Sequence, residues 1–263
     1  MLTALCFASL LAGCDEPAKP AAGAASSRPS AAASAAPPAA PSATTPPSAT
    51  ASAAAAPRKR DVTCTKTDPV TFSDATLEAT VRRQLQKPEG PVGRAELGKV
   101  RTLDLSQATS NDELDPCLFP LFTGAKGLYL APGKLDDISP LKGLTQLESL
   151  RLAATAVRDI GPLAGLTKLD RLDLGRTPVS DLSPLAGLKN LTELQIDETE
   201  VTDLSPLAKL DKLEVLLLKR TRINDVSPLK GLTHLKHLYI EGSAIKDVSA
   251  VRGIPGLKIH EGS

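Results

Sequence analysis

Leucines recur every 22 residues at Leu144, Leu166, Leu188, Leu210 and Leu232, and most residues from Lys126 to Gly253 recur with them. So short a period excludes an ordinary globular core. One unit holds too few apolar side chains to enclose itself, so units must stack and share a core. Residues 144–165 read LTQLESLRLAATAVRDIGPLAG, followed by LTKLDRLDLGRTPVSDLSPLAG, LKNLTELQIDETEVTDLSPLAK and LDKLEVLLLKRTRINDVSPLKG. The step Leu150-x-Leu152 has period two, as a short strand with one buried face requires. Its equivalents are Leu128/Leu130, Leu172/Leu174, Leu194/Ile196, Leu216/Leu218 and Leu238/Ile240. Stacking these steps predicts a parallel sheet over one continuous core.

The second half of each unit turns the chain back. Thr155, Thr177, Thr199 and Thr221 follow the strands, with Ser243 in the last copy. Their hydroxyls are expected to bond backbone groups of neighbouring coils. Asp159, Asp181, Asp203, Asp225 and Asp247 come next, then Ser-Pro at 183–184, 205–206 and 227–228. Serine as N-cap and proline at the first helical position signal a helix start. The short interval before the next leucine makes that helix a 3₁₀ turn. Because these aspartates follow the scaffold period and do not converge, they read as structural and not catalytic.

The string L-x-x-L-x-L-x-x-T-x-V-x-D-[LIV]-S-P-L-x-G resembles the leucine-rich repeat of the internalin class, from about Lys126 to Gly253. The stretch from Phe72 to Ser106 is similar to the helical cap that opens such repeats. There Leu77, Val81 and Leu85 fall on one helical face. Leu103-x-Leu105 supplies an irregular first strand, the coil from Leu105 to Leu128 is stretched, and Ile254 to Ile259 reads as a shortened final strand. The resemblance implies an α/β solenoid. It would be a leucine-rich repeat arc with a parallel β-sheet on the concave face, short 3₁₀ turns on the convex side and an N-terminal helical cap.

Leu11-Ala12-Gly13-Cys14 resembles a bacterial lipobox, in which the cysteine is lipid-modified. The apolar run before it is short, as a signal sequence should be, although no Lys or Arg precedes Cys14. An ordinary secretory signal with an incidental cysteine is the alternative. From Asp15 to Pro57 nearly every residue is Ala, Pro, Ser or Thr, a composition that cannot offset the entropy of folding. Arg58-Lys59-Arg60 closes this stretch as a solvated boundary, a lipid-attracting patch or a proteolytic site. The expected organisation is a lipoprotein signal at 1–13, a disordered tether at 14–60, a cap at 61–101 and repeats at 102–263.

With Cys6 removed and Cys14 lipidated, Cys64 and Cys117 remain. Two unassigned cysteines in an exported chain suggest one disulfide, with two buried free thiols as the alternative.

Catalytic chemistry is not indicated. The three histidines are His234, His237 and His260, and His234-x-x-His237 with Glu241 sits on a strand, which does not bring i and i+3 to one face. No GxSxG elbow or phosphate-cradling glycine loop is present. The reading is therefore no enzyme, no metal and no cofactor. Net charge of +1 argues against nucleic acid.

In the internalin class the residues between the strand leucines project from the concave side, and adding 22 aligns them laterally. The central column is Asp104, Tyr129, Arg151, Asp173, Gln195, Leu217 and Tyr239. One side of it runs Gly127, Ser149, Arg171, Glu193, Val215 and His237, and the other Ala131, Ala153, Gly175, Asp197, Lys219 and Glu241. Arg151 should then face Asp173, Arg171 should face Glu193, and Lys219 should lie between Asp197 and Glu241. These charges read either as solvent-facing ion pairs or as a ligand surface. Val215, Leu217, His237 and Tyr239 form an apolar and aromatic patch with no core to serve, the best site for partner contacts. The chain has no Trp and only two Tyr, which points to a weak or avidity-assisted binder. The expected molecule is a monomeric, exported protein, lipid-anchored to a bacterial membrane, that binds a protein partner. The alternative is a structural envelope spacer or a cell-wall glycan binder using Tyr129 and Gln195.

Overall fold

A computed structural model describes Cys64 and residues 67–108 and 112–262. The expected signal at 1–13, Cys14 and the expected tether at 14–60 lie outside the described residues. Helix α1 (Ala75–Leu85) opens the folded part. Asp74 caps it by accepting the Leu77 backbone N–H at 2.7 Å, and the face carrying Leu77, Thr80 and Val81 is buried. A single-turn helix α2 (Arg94–Leu97) follows.

Eight strands then form one parallel sheet in chain order: β1 (Thr102–Leu105), β2 (Gly127–Leu130), β3 (Ser149–Arg151), β4 (Arg171–Asp173), β5 (Glu193–Gln195), β6 (Val215–Leu217), β7 (His237–Tyr239) and β8 (Lys258–His260). Between them the chain returns through 3₁₀ turns at Phe119–Leu121, Ser139–Leu141, Gly161–Gly165, Ser183–Gly187, Ser205–Leu207 and Ser227–Gly231.

Each regular coil buries the same set. Residues 144–165 contribute Leu144, Leu147, Leu150, Leu152, Val157, Ile160 and Leu163, none more than 1% exposed. At roughly 1.5–3 kcal/mol per fully buried apolar side chain, this repeated set is the main drive for folding. In the stretched coil Leu114, Leu118, Phe119 and Phe122 replace it, with the two phenylalanine rings edge-to-face at 5.8 Å. Cys64 is disulfide-bonded to Cys117, which ties the leader of the cap to this coil.

Two details differ from the sequence expectation. The threonine hydroxyls donate within their own coil and not to a neighbour: Thr155 to the Leu152 carbonyl at 2.7 Å, Thr177 to Leu174 at 2.6 Å, Thr199 to Ile196 and Thr221 to Leu218 each at 2.7 Å. Their role is to close the turn that follows each strand. In that turn Ala154, Arg176, Glu198 and Arg220 take left-handed backbone angles, and Gly242 holds the equivalent place in the next coil. The left-handed residue points its own N–H at the next coil, as Ala154 does to the Gly175 carbonyl at 2.8 Å and Arg176 to Asp197 at 2.7 Å. In this turn, coil-to-coil bonding is thus carried by backbone and leaves the buried hydroxyl free to fold back.

Nor is serine the cap of the 3₁₀ turns. The N-cap positions are Leu182, Leu204 and Val226, none with a side-chain cap bond. The preceding aspartate supplies the acceptor: the Ser183, Ser205 and Ser227 N–H groups donate to Asp181, Asp203 and Asp225, each at 2.8 Å. Aspartate two residues back reaches this N–H as a backbone turn would, which a serine at the same place cannot do for itself.

Candidate functional site

Side chains between the strand leucines stand on the open face of the sheet, and strand register fixes who meets whom. Asp104 pairs with Tyr129, Tyr129 with Arg151, Arg151 with Asp173, Asp173 with Gln195, Gln195 with Leu217 and Leu217 with Tyr239. The parallel column Ser149, Arg171, Glu193, Val215 and His237 is also in register. The surface built on these strands has two regions of different character.

The first, over β2 to β5, is polar and charged. Arg151 Nε lies 3.2 Å from Asp173 Oδ2, and the other oxygen of Asp173 accepts the Gly175 N–H at 3.0 Å. Arg171 Nε is 3.9 Å from Glu193 and slightly nearer, 3.7 Å, to Asp170. Tyr129, Arg151, Arg171, Asp173, Glu193 and Gln195 line a shallow hollow of about 200 Å³. Asp197 is half-buried at its edge, accepting the Lys219 backbone N–H at 2.7 Å and the Gln195 amide at 3.1 Å. Burial pushes its carboxyl above the usual range, against the opposing pull of those hydrogen bonds. In the column one place further on, Arg220 pairs with Glu198 at 3.4 Å, whereas Arg176 makes no ion pair among the described residues.

The second region, over β6 to β8, is apolar and aromatic. Val215, Leu217, His237 and Tyr239 are all half-buried on adjoining strands. His260 joins them. Its ring stacks on Tyr239 at 4.1 Å between centroids with 10° between planes, and its Nε2 lies 3.2 Å from His237 Nδ1. On the other side Lys219 Nζ sits 4.9 Å from the Tyr239 ring centroid, held there by Glu241 at 2.6 Å. The bond to Glu241 is the chief reason the Lys219 ammonium holds its proton beyond the usual lysine range. Ammonium, phenol and imidazole therefore form one cluster, the phenol making a cation–π contact with the ammonium and stacking on the imidazole.

Among solved structures, an internalin (inlF) of Listeria monocytogenes matches with a TM-score of 0.64 and 29% identity over 72% of this chain; the match spans 56% of that internalin. Internalin C2 (inlC2) of the same organism gives 0.60 and 29%, covering 73% of this chain and 94% of its own. A leucine-rich repeat protein of Leptospira interrogans shares the fold at 0.57 and 21% identity, over 63% of this chain and 44% of that one. A family model for leucine-rich repeats, two copies, matches residues 167–209. The fold is a leucine-rich repeat solenoid, similar to that of the bacterial internalins. A search of curated proteins returns no match.

Among the leucine-rich coils, those carrying Tyr129, Arg151, Arg171, Asp173, Glu193 and Gln195 bring these residues together in one group. Val215, Leu217, Lys219, His237, Tyr239 and Glu241 form the other. Sequence reasoning left out His260. The last coil is one residue shorter than the regular 22-residue coils, so Tyr239 meets a residue 21 positions on. Counting in 22s steps past it. The signal that finds it is Ile259, the partner of Leu238, which fixes the shortened register. His234 is exposed in the segment before β7 and lies apart from the strand face.

The repeated aspartates make folding pH-dependent. Hydrogen bonds, first from the serine hydroxyl and then from its N–H, hold Asp181, Asp203 and Asp225 below the usual carboxylate range. At Asp247 the Ser249 N–H contributes first. A carboxyl that is more acidic folded than unfolded adds stability above its unfolded value, about pH 4, and loses it as pH falls through the folded value. Asp197, shifted the other way, carries a penalty that sets in as pH rises through its own higher value. The lowered group is larger, so the melting temperature should fall on acidification below about pH 4. Changing Asp181, Asp203, Asp225 and Asp247 to Asn should flatten that acid limb; an unchanged slope in thermal melts would show that the serine–aspartate pairs do not set it.

Proposed function

We propose that this chain is an exported lipoprotein whose leucine-rich repeats bind a protein partner through the open face of the sheet, without catalysing a reaction. The observation that carries this reading is the half-exposed cluster of Val215, Leu217, His237, Tyr239 and His260, stiffened by the Lys219–Tyr239–His260 stack. Large side chains that bury no core and are already held in place lose little freedom on binding, which favours them as contact centres. The ion pairs around them, worth under about 1 kcal/mol each when exposed, serve register and selectivity more than affinity. The resemblance to internalins supports the same use of the fold.

Export is supported by Cys64–Cys117, since such bonds persist in oxidising compartments, and by the lipobox at Leu11-Ala12-Gly13-Cys14. Expressed in a bacterial host, the protein should partition into detergent and carry acyl mass on Cys14, and both should vanish in Cys14→Ser. A wild-type chain that is soluble and unacylated by mass spectrometry would remove the lipoprotein reading. The binding reading is tested by capture from native envelope with the full chain as bait, repeated with the surface changed at Leu217 and Tyr239. A partner retained equally by both baits would sink it. A second reading, glycan binding, is favoured by the polar hollow beside Tyr129 and Gln195. It predicts that cell-wall oligosaccharide shifts amide resonances of that region and leaves those around Tyr239 unmoved.

A further inference from the structure

The stretch that leads from the end of each return turn toward the next strand carries a charge pattern that the sheet face does not use. It occupies residues 142–146 and its equivalents 164–168, 186–190, 208–212, 230–234 and 252–256, which parallel strand stacking places along one flank of the solenoid. Each of these six windows has a net charge of +1: Lys142, Lys168 and Lys189 in the first three, Lys209 and Lys212 against Asp211 in the fourth, then Lys230 and Arg252. All seven cations are exposed. The chain as a whole is only +1, so this flank holds +6 and all other residues together −5.

The partners of these cations differ from those of the lysines just before the strands. There Lys126 pairs with Glu148 at 2.6 Å and Lys236 with Glu214 at 2.7 Å, each an acid one coil away. On the flank, Lys168 donates to the Gln146 amide oxygen at 2.6 Å, Lys212 to Asn190 at 2.8 Å and Lys189 to the Lys209 carbonyl at 2.8 Å. Neutral acceptors fix the position of an ammonium and leave its charge intact. Among the described residues none of the seven is in an ion pair. At about 4.8 Å per coil, cations on neighbouring coils lie within a Debye length of one another, so the row presents a continuous positive strip to a facing charged surface.

We propose that this flank is a docking surface for a membrane rich in anionic lipid headgroups. Six of the seven cations are lysines, compact point charges on flexible stems that suit a fluid array of phosphates better than a rigid fork would. The windows contain no Phe, Tyr or Trp on which bases of a nucleic acid could stack. A lipid anchor at Cys14 would add its own membrane affinity, but the inference stands without it. The test uses the full chain carrying Cys14→Ser and vesicles of phosphatidylcholine with or without about one-third phosphatidylglycerol. Binding is expected only to the anionic vesicles, and it should collapse between about 0.05 and 0.5 M salt. Each basic residue near such a surface contributes roughly a factor of five, so the triple change K142E, K168E and K212E should weaken binding about 100-fold or more. Reversing Arg158, Arg222 and Lys246 on the opposite flank applies the same change in net charge and should cost far less. Melting temperatures of both variants establish that they remain folded. The proposal is overturned if the parent ignores anionic vesicles, if both triple variants lose binding equally, or if the flank variant binds as the parent does, which would place the contact at Arg58–Arg60. Tighter binding to heparin or single-stranded DNA than to vesicles would equally overturn it, marking a soluble-polyanion site.

Discussion

Changing Leu217 to Ser together with Tyr239 to Ala is expected to weaken partner binding about 100-fold while leaving the solenoid folded. Both side chains are half-buried on the sheet face, and the residues that flank them in the strands, Leu216, Leu218, Leu238 and Ile240, point into the core and stay untouched. Removing a leucyl and a phenolic contact forfeits a few kcal/mol at roughly 25 cal/mol per Å² of apolar area, part of which would have offset the cost of association. Loss of the phenol also removes the ring that both Lys219 and His260 contact, so the cluster that pre-orders the surface goes with it. The comparison variant exchanges Arg151 and Asp173, keeping their mutual attraction across β3 and β4. Titration calorimetry against the captured partner separates the two: should the exchange abolish binding and the Leu217/Tyr239 variant not, recognition lies over the polar hollow.

Opening the disulfide is the change expected to affect stability most. Cys64 and Cys117 are 53 positions apart in sequence, with α1, α2 and β1 between them. In the chain-entropy account a loop of that length stabilises the fold by about 4 kcal/mol, by restricting the unfolded chain. For a folded part of this size that corresponds to a drop of roughly 8–16 °C in melting temperature on Cys64→Ala/Cys117→Ala. The loss should be felt first at the cap, where amide exchange over 75–105 should accelerate ahead of the inner coils. A melting curve unmoved by reduction would mean that the cap holds to β1 by its buried face alone.

Much of this architecture is written in the sequence because the repeat states each feature five times. The period of Leu144 to Leu232 and the two-residue step at Leu150 leave one arrangement, and the columns of the exposed face follow by addition. What addition missed came from single, unrepeated events. The one-residue deletion before β8 hid His260, and the contraction has no signature beyond Ile259 falling opposite Leu238. The short helix α2 has only four residues and lacks a periodic pattern to announce it. Misassigning the roles of threonine and serine had a different origin. Residue type showed that a hydroxyl and a carboxylate would be hydrogen-bonded, but several acceptors lay within reach. Only the left-handed turn at Ala154 and its equivalents decides that the threonine folds back on its own coil.

The spacing of paired strands along the chain is 25 residues from Thr102 to Gly127, 22 at each of the next five steps, and 21 from His237 to Lys258. Inner coils are therefore interchangeable parts, whereas the two ends are fitted pieces. Excising 166–187 would join Gly165 to Leu188 in perfect phase and close the core again, yet it would slide one half of the outer face past the other by a whole notch of about 4.8 Å. Arg151 would then stand beside Gln195 in place of Asp173. Such a molecule can lengthen or shorten only in whole notches, so its outer face works as a ruler on which the distance between the polar hollow and the aromatic stack is counted in coils.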